Sequence, residues 1–198
     1  MTENKPPKYF ENWYETLTGS FGERLGAYLL EGIIMLPATL AVFISIGLNP
    51  VYNYFLIPIT QGITFLYFVY LPVKYGATPG KLILGLRILK LDGTSIGYRE
   101  SFLKYLPMFI YSGLSALLVV YEVYRANPDE YLNLNWFEQQ KYLQSFTQPI
   151  NSVLVFLIMA YSFINLLVFL LKDGNRSISD YLANVVVVVK KRFLEEQV

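Results

Sequence analysis

Four long apolar segments, separated by polar stretches, dominate the pattern of the chain. They cover about residues 25–47, 52–73, 102–124 and 151–171. A helix rises about 1.5 Å per residue, so roughly 20 residues cross the ~30 Å hydrocarbon core of a bilayer. Each segment meets that length, and the pattern therefore predicts an integral membrane protein with four transmembrane helices.

Aromatic residues outside these segments predict interfacial helices. Residues 1–20 are polar, too polar for a cleaved signal peptide, and Phe10, Trp13 and Tyr14 recur there at helical spacing. We expect either a helix in the membrane interface, with its rings at headgroup depth, or an aromatic collar packed on the bundle. The aromatic residues of 125–150 favour interfacial anchoring over a partner-binding surface.

Two short segments have the pattern of β-strands. Leu86–Leu91 alternates apolar and basic side chains before an Asp-Gly turn, and Val185–Val189 is an unbroken β-branched run. We predict that they pair in a small sheet. The predicted fold class is an all-α membrane protein: a four-transmembrane-helix bundle with interfacial helices and a small cytoplasmic two-stranded β element. The transmembrane domain is expected over residues 21–194.

Basic residues are concentrated on one side of the predicted membrane domain. Of 16 Lys and Arg residues, 14 lie in the N-terminal part, in residues 74–104 or in the C-terminal part. Only Arg125 and Lys141 lie between the third and fourth segments. The positive-inside rule places the more basic side in the cytoplasm. We therefore expect a multi-pass protein of the cell (inner) membrane with both termini cytoplasmic.

The composition excludes several kinds of catalytic and metal-binding site. Hydrophobic residues make up 54% and charged residues 16% of the sequence, against about a quarter charged in soluble domains. Histidine and cysteine are absent, which excludes Ser-His-Asp triads, thiol nucleophiles and His or Cys metal sites. The net charge of +1 gives no indication of nucleic-acid binding. We expect no cofactor, no metal and no enzymatic activity.

Glu31 is the candidate for an ion or proton site. It is the one Asp, Glu, Lys or Arg between Leu25 and Gly47, about 9 Å into the first apolar segment. A carboxylate at that depth must find a partner or take up a proton. Asn165 and Gln61 are polar positions of other segments, and we expect them to support Glu31. No span has a basic residue at this depth, so we expect Glu31 to lack a full counter-charge and its carboxyl to be protonated part of the time.

A distinctive motif, Gly76-Ala-Thr-Pro-Gly-Lys81, follows the second segment. It lacks the glycine spacing and the magnesium-binding Ser or Thr of a phosphate-binding loop. Thr78 and Pro79 instead predict a helix start, with Thr78 as the N-cap and the proline at the first helical position.

A second motif lies near the C-terminus. Ser177 and Asp180 have the spacing of a capping box, and Arg176 lies four residues before Asp180, where a local ion pair is favourable. Arg24 is expected to point toward the cytoplasmic face, because helical side chains tilt toward the N-terminus. We predict that Asp180 binds Arg24 there.

Taken together, these motifs resemble the RDD family of bacterial membrane proteins, which is named for one arginine and two aspartates. The resemblance covers about residues 20–190. Its motifs are Arg24 with an acid at position 31, Gly76-x-Thr78-Pro79-Gly80-Lys81, and Arg176-x3-Asp180. Glu31 replaces the first aspartate, which keeps the charge and adds a methylene. Some members are proposed to exchange sodium and protons, and others to regulate or accompany partner membrane proteins.

The sequence leaves two functions open. The first is a cation/proton transporter or transport subunit that uses Glu31 as a buried protonatable carboxylate. The alternative is a non-enzymatic accessory or regulatory protein that binds a partner or anionic lipid through its basic cytoplasmic face. In both cases we expect the protein to lie in the lipid bilayer. We also expect it to bind a membrane-protein partner or a second copy of the chain.

Overall fold

The computed structural model of the protein describes residues 17–171 and 175–191. Four of its helices are long and apolar enough to cross a membrane: Phe21–Ser45, Asn53–Tyr75, Tyr98–Arg125 and Gln148–Leu171. Few of their side chains are buried in the isolated chain, as suits surfaces that face lipid. The predicted class, a helical membrane protein with four spans and a small sheet, is confirmed. The interfacial helix predicted over residues 1–20 lies almost wholly outside the described residues.

The helices and strands follow one another in the order expected from the hydropathy pattern. They are α1 (Phe21–Leu48), α2 (Asn53–Phe65), α3 (Leu71–Tyr75), α4 (Pro79–Ile83), β1 (Leu86–Lys90), α5 (Tyr98–Arg125), α6 (Pro128–Leu132), α7 (Trp136–Ser145), α8 (Gln148–Leu171), α9 (Ile178–Leu182) and β2 (Val185–Val189). A π-helical turn over Leu66–Tyr70 joins α2 to α3, so the second span is continuous.

Both α1 and α5 begin about one turn before the apolar segments predicted from hydropathy. The backbone N–H of Ser20 donates to Glu23 Oε2 at 2.7 Å, and that of Gly97 donates to Glu100 Oε2 at 2.8 Å. These carboxylates satisfy N–H groups that have no partner inside the helix. Hydropathy thus identifies the part of a helix that can lie in the hydrocarbon core, whereas polar capping residues determine where the helix begins.

The chain divides into two compact units. We call the first the sheet unit; it comprises residues 17–34, Phe65–Leu106, 162–171 and 175–191. The second, the loop-helix unit, comprises Met35–Thr64 and Pro107–Tyr161. Each unit contains segments of all four spanning helices, and each is described separately below.

In the sheet unit, β1 and β2 pair antiparallel, which confirms the predicted two-stranded sheet. Leu86 lies opposite Val189, and Lys90 lies opposite Val185. Alternate valines of β2 pack in two clusters, one with Ala27 and Ile88 and the other with Leu17. Burial of both faces explains why β2 is an unbroken valine run and not an alternating one.

In the loop-helix unit, the two short helices α6 and α7 have side-chain caps. Asn127 caps α6, and Asn135 forms a capping box with Glu138 at the start of α7. The ring of Trp136 packs 4.5 Å from that of Phe43 on α1. These caps and contacts hold the connection between α5 and α8 in a defined conformation.

Candidate functional site

Glu31 lies in a buried ion pair. Its Oε1 accepts hydrogen bonds from Lys81 Nζ, at 2.8 Å, and from the hydroxyl of Thr78. Glu31 is 5% exposed and Lys81 is 1% exposed. The prediction that Glu31 lacks a full counter-charge is therefore wrong. Its cation comes from α4, a short helix outside the four spans, which packs against α1.

The motif around α4 explains how this short helix approaches α1. Thr78 is the N-cap of α4 and Pro79 is its first residue, as predicted, but the Thr78 side chain makes no capping bond because it donates to Glu31. A Cβ atom on Gly80 would lie 2.5 Å from Glu31 Cγ and 2.7 Å from the Ala27 carbonyl oxygen. Only glycine fits this contact without a shift of α4 away from α1.

The other two residues predicted to support Glu31 have different partners. Asn165 Oδ1 accepts a hydrogen bond from the backbone N–H of Ser179 at 3.1 Å. Ser179 lies in the first turn of α9, where backbone N–H groups need external acceptors. Gln61 belongs to the loop-helix unit, where its amide is 3.3 Å from the carbonyl and the hydroxyl oxygens of Ser112. The structure thus does not group Asn165 and Gln61 with Glu31.

Asp180 is fully buried and binds two cations. Its Oδ2 lies 2.7 Å from Arg24 NH1, which confirms the predicted ion pair, and its Oδ1 accepts a hydrogen bond from Lys104. Oδ2 also accepts from the N–H of Ser177 at 3.1 Å, in the predicted capping box. Burial alone would raise the pKa of Asp180, but Lys104 and Arg24 outweigh it and hold this pKa well below its usual range. Asp180 is therefore charged at neutral pH.

Arg24 connects α1 to four other parts of the sheet unit. Besides its ion pair with Asp180, its guanidinium donates to the carbonyls of Gly19, at 3.2 Å, and Val187, at 3.3 Å. It also lies 4.9 Å from the centre of the Phe169 ring on α8. The planar guanidinium has enough donors for these bonds, whereas a lysine ammonium cannot reproduce their geometry.

Arg176 does not form the side-chain ion pair predicted from its spacing. Its Nε donates to the Val185 carbonyl at 3.1 Å, and its NH2 donates to the backbone carbonyl of Asp180 at 3.3 Å. The carboxylate of Asp180 is engaged by Arg24, Lys104 and the cap. Arg176 therefore supports the start of β2 and the end of α9, and it also lies 4.2 Å from the centre of the Tyr181 ring.

The Tyr105 ring lies close to both buried lysines, Lys81 and Lys104. Lys81 Nζ and Lys104 Nζ are each 5.9 Å from its centre. Burial acts to lower the pKa of Lys81, but Tyr105 and Glu31 outweigh burial and raise this pKa above the ordinary lysine value. Lys81 therefore carries its charge at neutral pH, where its ammonium contacts the Glu31 carboxyl group.

Together, Arg24, Lys81, Lys104, Glu31 and Asp180 form what we call the buried charge network. It holds three cations and two acids, and all five side chains are buried. Buried charges of this kind are costly unless they are paired, and removal of one partner leaves the other uncompensated. The network joins α1, α4, α5 and α9. The part of the chain that the structure describes has no group of His, Cys, Asp or Glu arranged to hold a metal ion.

Lys104 and Tyr105 were not identified as members of the site from sequence. A signal was present for Lys104, since it is the one Lys or Arg within the third apolar segment, residues 102–124. A lone cation in such a segment indicates a buried anionic partner. Tyr105 gave no comparable signal, because the sequence has 17 tyrosines and aromatic residues are common near membrane interfaces.

Comparison with known proteins adds one finding. The model of the RDD family matches residues 18–184. This range includes every member of the buried charge network and the whole of β1, and it ends just before β2. No curated protein and no solved structure gives a significant match to the chain.

Proposed function

The chain belongs to the RDD family, and on that premise we propose that it is a non-enzymatic accessory membrane protein whose sheet unit binds anionic lipid headgroups. The observation that carries this proposal is the distribution of charge between the two units. Among the described residues, the sheet unit has ten Lys and Arg against five Asp and Glu, a net charge of +5. The loop-helix unit has two Lys and Arg residues against four Asp and Glu residues, a net charge of −2.

The sheet unit keeps a positive charge at its surface, because six of its ten cations and three of its five acids are not buried. Two of the five acids of the sheet unit, Glu31 and Asp180, are buried in ion pairs. Exposed cations of the same unit are Lys74, Arg99, Lys190 and Lys191. A cation close to a membrane surface attracts anionic lipid by about 1 kcal/mol. The sheet unit therefore has the surface charge of a lipid-binding element, on the side that the positive-inside rule assigns to the cytoplasm.

Aromatic residues at the end of the second span support a position beside the headgroups. Lys74 Nζ lies 5.6 Å from the centre of the Tyr70 ring and 5.3 Å from that of Tyr75. Tyr75 is itself exposed. Tyrosine and lysine together favour the boundary between hydrocarbon and headgroups, where the ring contacts apolar groups and the ammonium reaches water.

The proposal is tested by lipid selectivity in reconstituted bilayers. A spin-labelled anionic lipid should associate with the protein more strongly than its zwitterionic counterpart. Replacement of exposed cations of the sheet unit should reduce that preference, while replacement of Arg125 and Lys141, the two cations of the loop-helix unit, should leave it unchanged. Equal association of both lipids with the unaltered protein would contradict the proposal.

Proton-coupled or cation transport is a second candidate, favoured by one observation. Glu31 lies within a spanning helix and binds Lys81 and Thr78, and ionisable residues at such positions commonly mark ion or proton pathways. Flux measurements in proteoliposomes test it. Transport predicts proton-dependent cation flux that is lost when Glu31→Gln and Lys81→Met are combined, and flux that persists in this double variant would exclude Glu31 as the carrier.

A further inference from the structure

The loop-helix unit contains one buried carboxyl group, that of Glu122. The charged residues of the unit are Glu122, Arg125, Asp129, Glu130, Glu138 and Lys141, and all of them except Glu122 are exposed. Met35–Thr64 and the segment of α8 in this unit contribute no Asp, Glu, Lys or Arg. Among the described residues, Glu122 forms no ion pair.

A neutral hydroxyl is the hydrogen-bond partner of this carboxyl. Thr147 is 1% exposed, and its Oγ1 is bonded to Glu122 Oε1 across 25 residues of sequence. Glu122 lies in the last turn of α5, and the carbonyl of Thr147 accepts the hydrogen bond of Asn151 in the first turn of α8. This side-chain contact therefore links the end of the third span to the start of the fourth.

The environment of Glu122 differs from that of the two acids in the buried charge network. Glu31 has Lys81, and Asp180 has Arg24 and Lys104. A carboxyl that is buried without a cation favours its protonated form, because the charged form loses its hydration and gains no opposite charge. The N-terminus of α8 favours an anion, but this effect is small beside the desolvation of a carboxylate.

We propose that Glu122, held by Thr147, is a proton-binding site that is occupied at neutral pH. A neutral carboxyl keeps one donor and one acceptor, and the Thr147 hydroxyl can serve either, so the bond between α5 and α8 persists in the protonated form. Loss of the proton leaves a buried carboxylate without a counter-charge, and this desolvated charge destabilises the folded protein. The site lies in the loop-helix unit and is independent of the lipid-binding role proposed for the sheet unit.

Infrared titration of the purified protein in detergent, from pH 5 to pH 9, tests the site. We expect a carboxylic-acid C=O band that remains at pH 7, where exposed carboxyls are ionised. Glu122→Gln should remove this band, and Asp129→Asn, which changes an exposed acid of the same unit, should keep it. The proposal is overturned if no band remains at pH 7, or if Glu122→Gln leaves the band unchanged.

Thermal unfolding provides a second readout. A carboxyl that retains its proton in the folded state contributes stability at low pH and loses it as the pH rises. Between pH 5 and pH 8, the Tm of the unaltered protein should fall by about 2 °C or more relative to that of Glu122→Gln. Parallel Tm profiles would overturn the proposal. If Glu122→Gln does not fold, Glu122→Asp takes its place, because it keeps an acid but moves the carboxyl group. The frequency of the infrared band should then change, and an unchanged frequency would also overturn the proposal.

Discussion

Arg24 on α1 and Asp180 on α9 form a buried ion pair, with NH1 and Oδ2 2.7 Å apart across 156 residues of sequence. The pair brings the start of the first span to the segment that follows the last one. Lys104 of the third span binds the other oxygen of the same carboxylate. One carboxylate therefore ties the first and third spans to the segment that leads into β2.

Replacement of Asp180 by asparagine should strongly destabilise the protein. The change leaves Arg24 and Lys104 buried without an acid, and breaking a buried pair in this way costs about 3–5 kcal/mol. Unfolding measured in detergent checks the value. Asp92→Asn is the control, because Asp92 is an exposed aspartate of the same unit, and it should cost less than about 1 kcal/mol. Similar losses in both variants would contradict the assigned role of Asp180.

Exchange of the two charges should not restore stability. A simple isolated pair would tolerate Arg24→Asp combined with Asp180→Arg. Here Lys104 would then face an arginine in the protein interior, and like charges repel strongly where water is excluded. The double variant should remain about as unstable as Asp180→Arg alone. Recovery to the stability of the unaltered protein would mean that Lys104 does not share this carboxylate.

The lowered pKa of Asp180 predicts a pH dependence with a defined sign. An aspartate whose folded pKa lies below its unfolded value of about 3.9 contributes stability above that value and loses it as the pH falls. The difference in Tm between the unaltered protein and Asp180→Asn should therefore be constant from about pH 5 to pH 7. It should shrink below about pH 4. A constant difference down to pH 3 would contradict this assignment.

Glu31 and Lys81 should behave as a coupled pair. Glu31→Gln leaves a buried ammonium, and Lys81→Met leaves a buried carboxylate, so each change alone should cost about 3–5 kcal/mol. The double variant removes both charges and should lose clearly less than the sum of the two single changes. A double-mutant cycle on unfolding free energies measures this coupling, and additive losses would show that the two side chains do not interact.

Gly80→Ala should separate α4 from α1. The added methyl group meets Glu31 and the backbone of Ala27 at distances well inside van der Waals contact, and overpacking of this kind costs about 1–3 kcal/mol. Gly62→Ala is the matched control, because its Cβ would meet nothing within 4 Å and α2 is helical there. That change should be neutral or stabilising. Equal effects of the two substitutions on unfolding would argue against the close contact.

Sequence patterns predicted the four spans, the sheet and the bond between Arg24 and Asp180. The first two follow from periodicity, which reports how each segment buries its own side chains. The third follows from charge, since a basic residue at one end of a span needs an acid at the same level. These inferences use properties of single segments and the order in which they occur.

The partner of Glu31 was not predictable in the same way. Lys81 lies in a connection that hydropathy assigns to the region outside the membrane, and periodicity does not report which spanning helix a connection packs against. Gly80 allows that contact, but a glycine after Thr-Pro is equally typical of a turn. The assignment of Asn165 to Glu31 failed for a related reason, since matching depth along two helices does not fix which faces meet.

Lipid selectivity shows whether the sheet unit binds anionic headgroups. The measurement is the association of spin-labelled anionic and zwitterionic lipid with the protein in bilayers, at low salt and at about 0.5 M salt, where surface charges are screened within a few Å. The variant with Lys74→Gln, Arg99→Gln and Lys190→Gln removes three exposed cations of the sheet unit. Arg125→Gln with Lys141→Gln is the matched control in the loop-helix unit.

We expect the unaltered protein to prefer anionic lipid, and we expect high salt to reduce this preference. The triple variant should lose up to about 1 kcal/mol of that preference per cation, a several-fold change in relative association for each. The control variant should retain the full preference. An unaltered protein without selectivity, or a triple variant and a control variant with the same selectivity, would contradict the claim that the sheet unit binds anionic lipid.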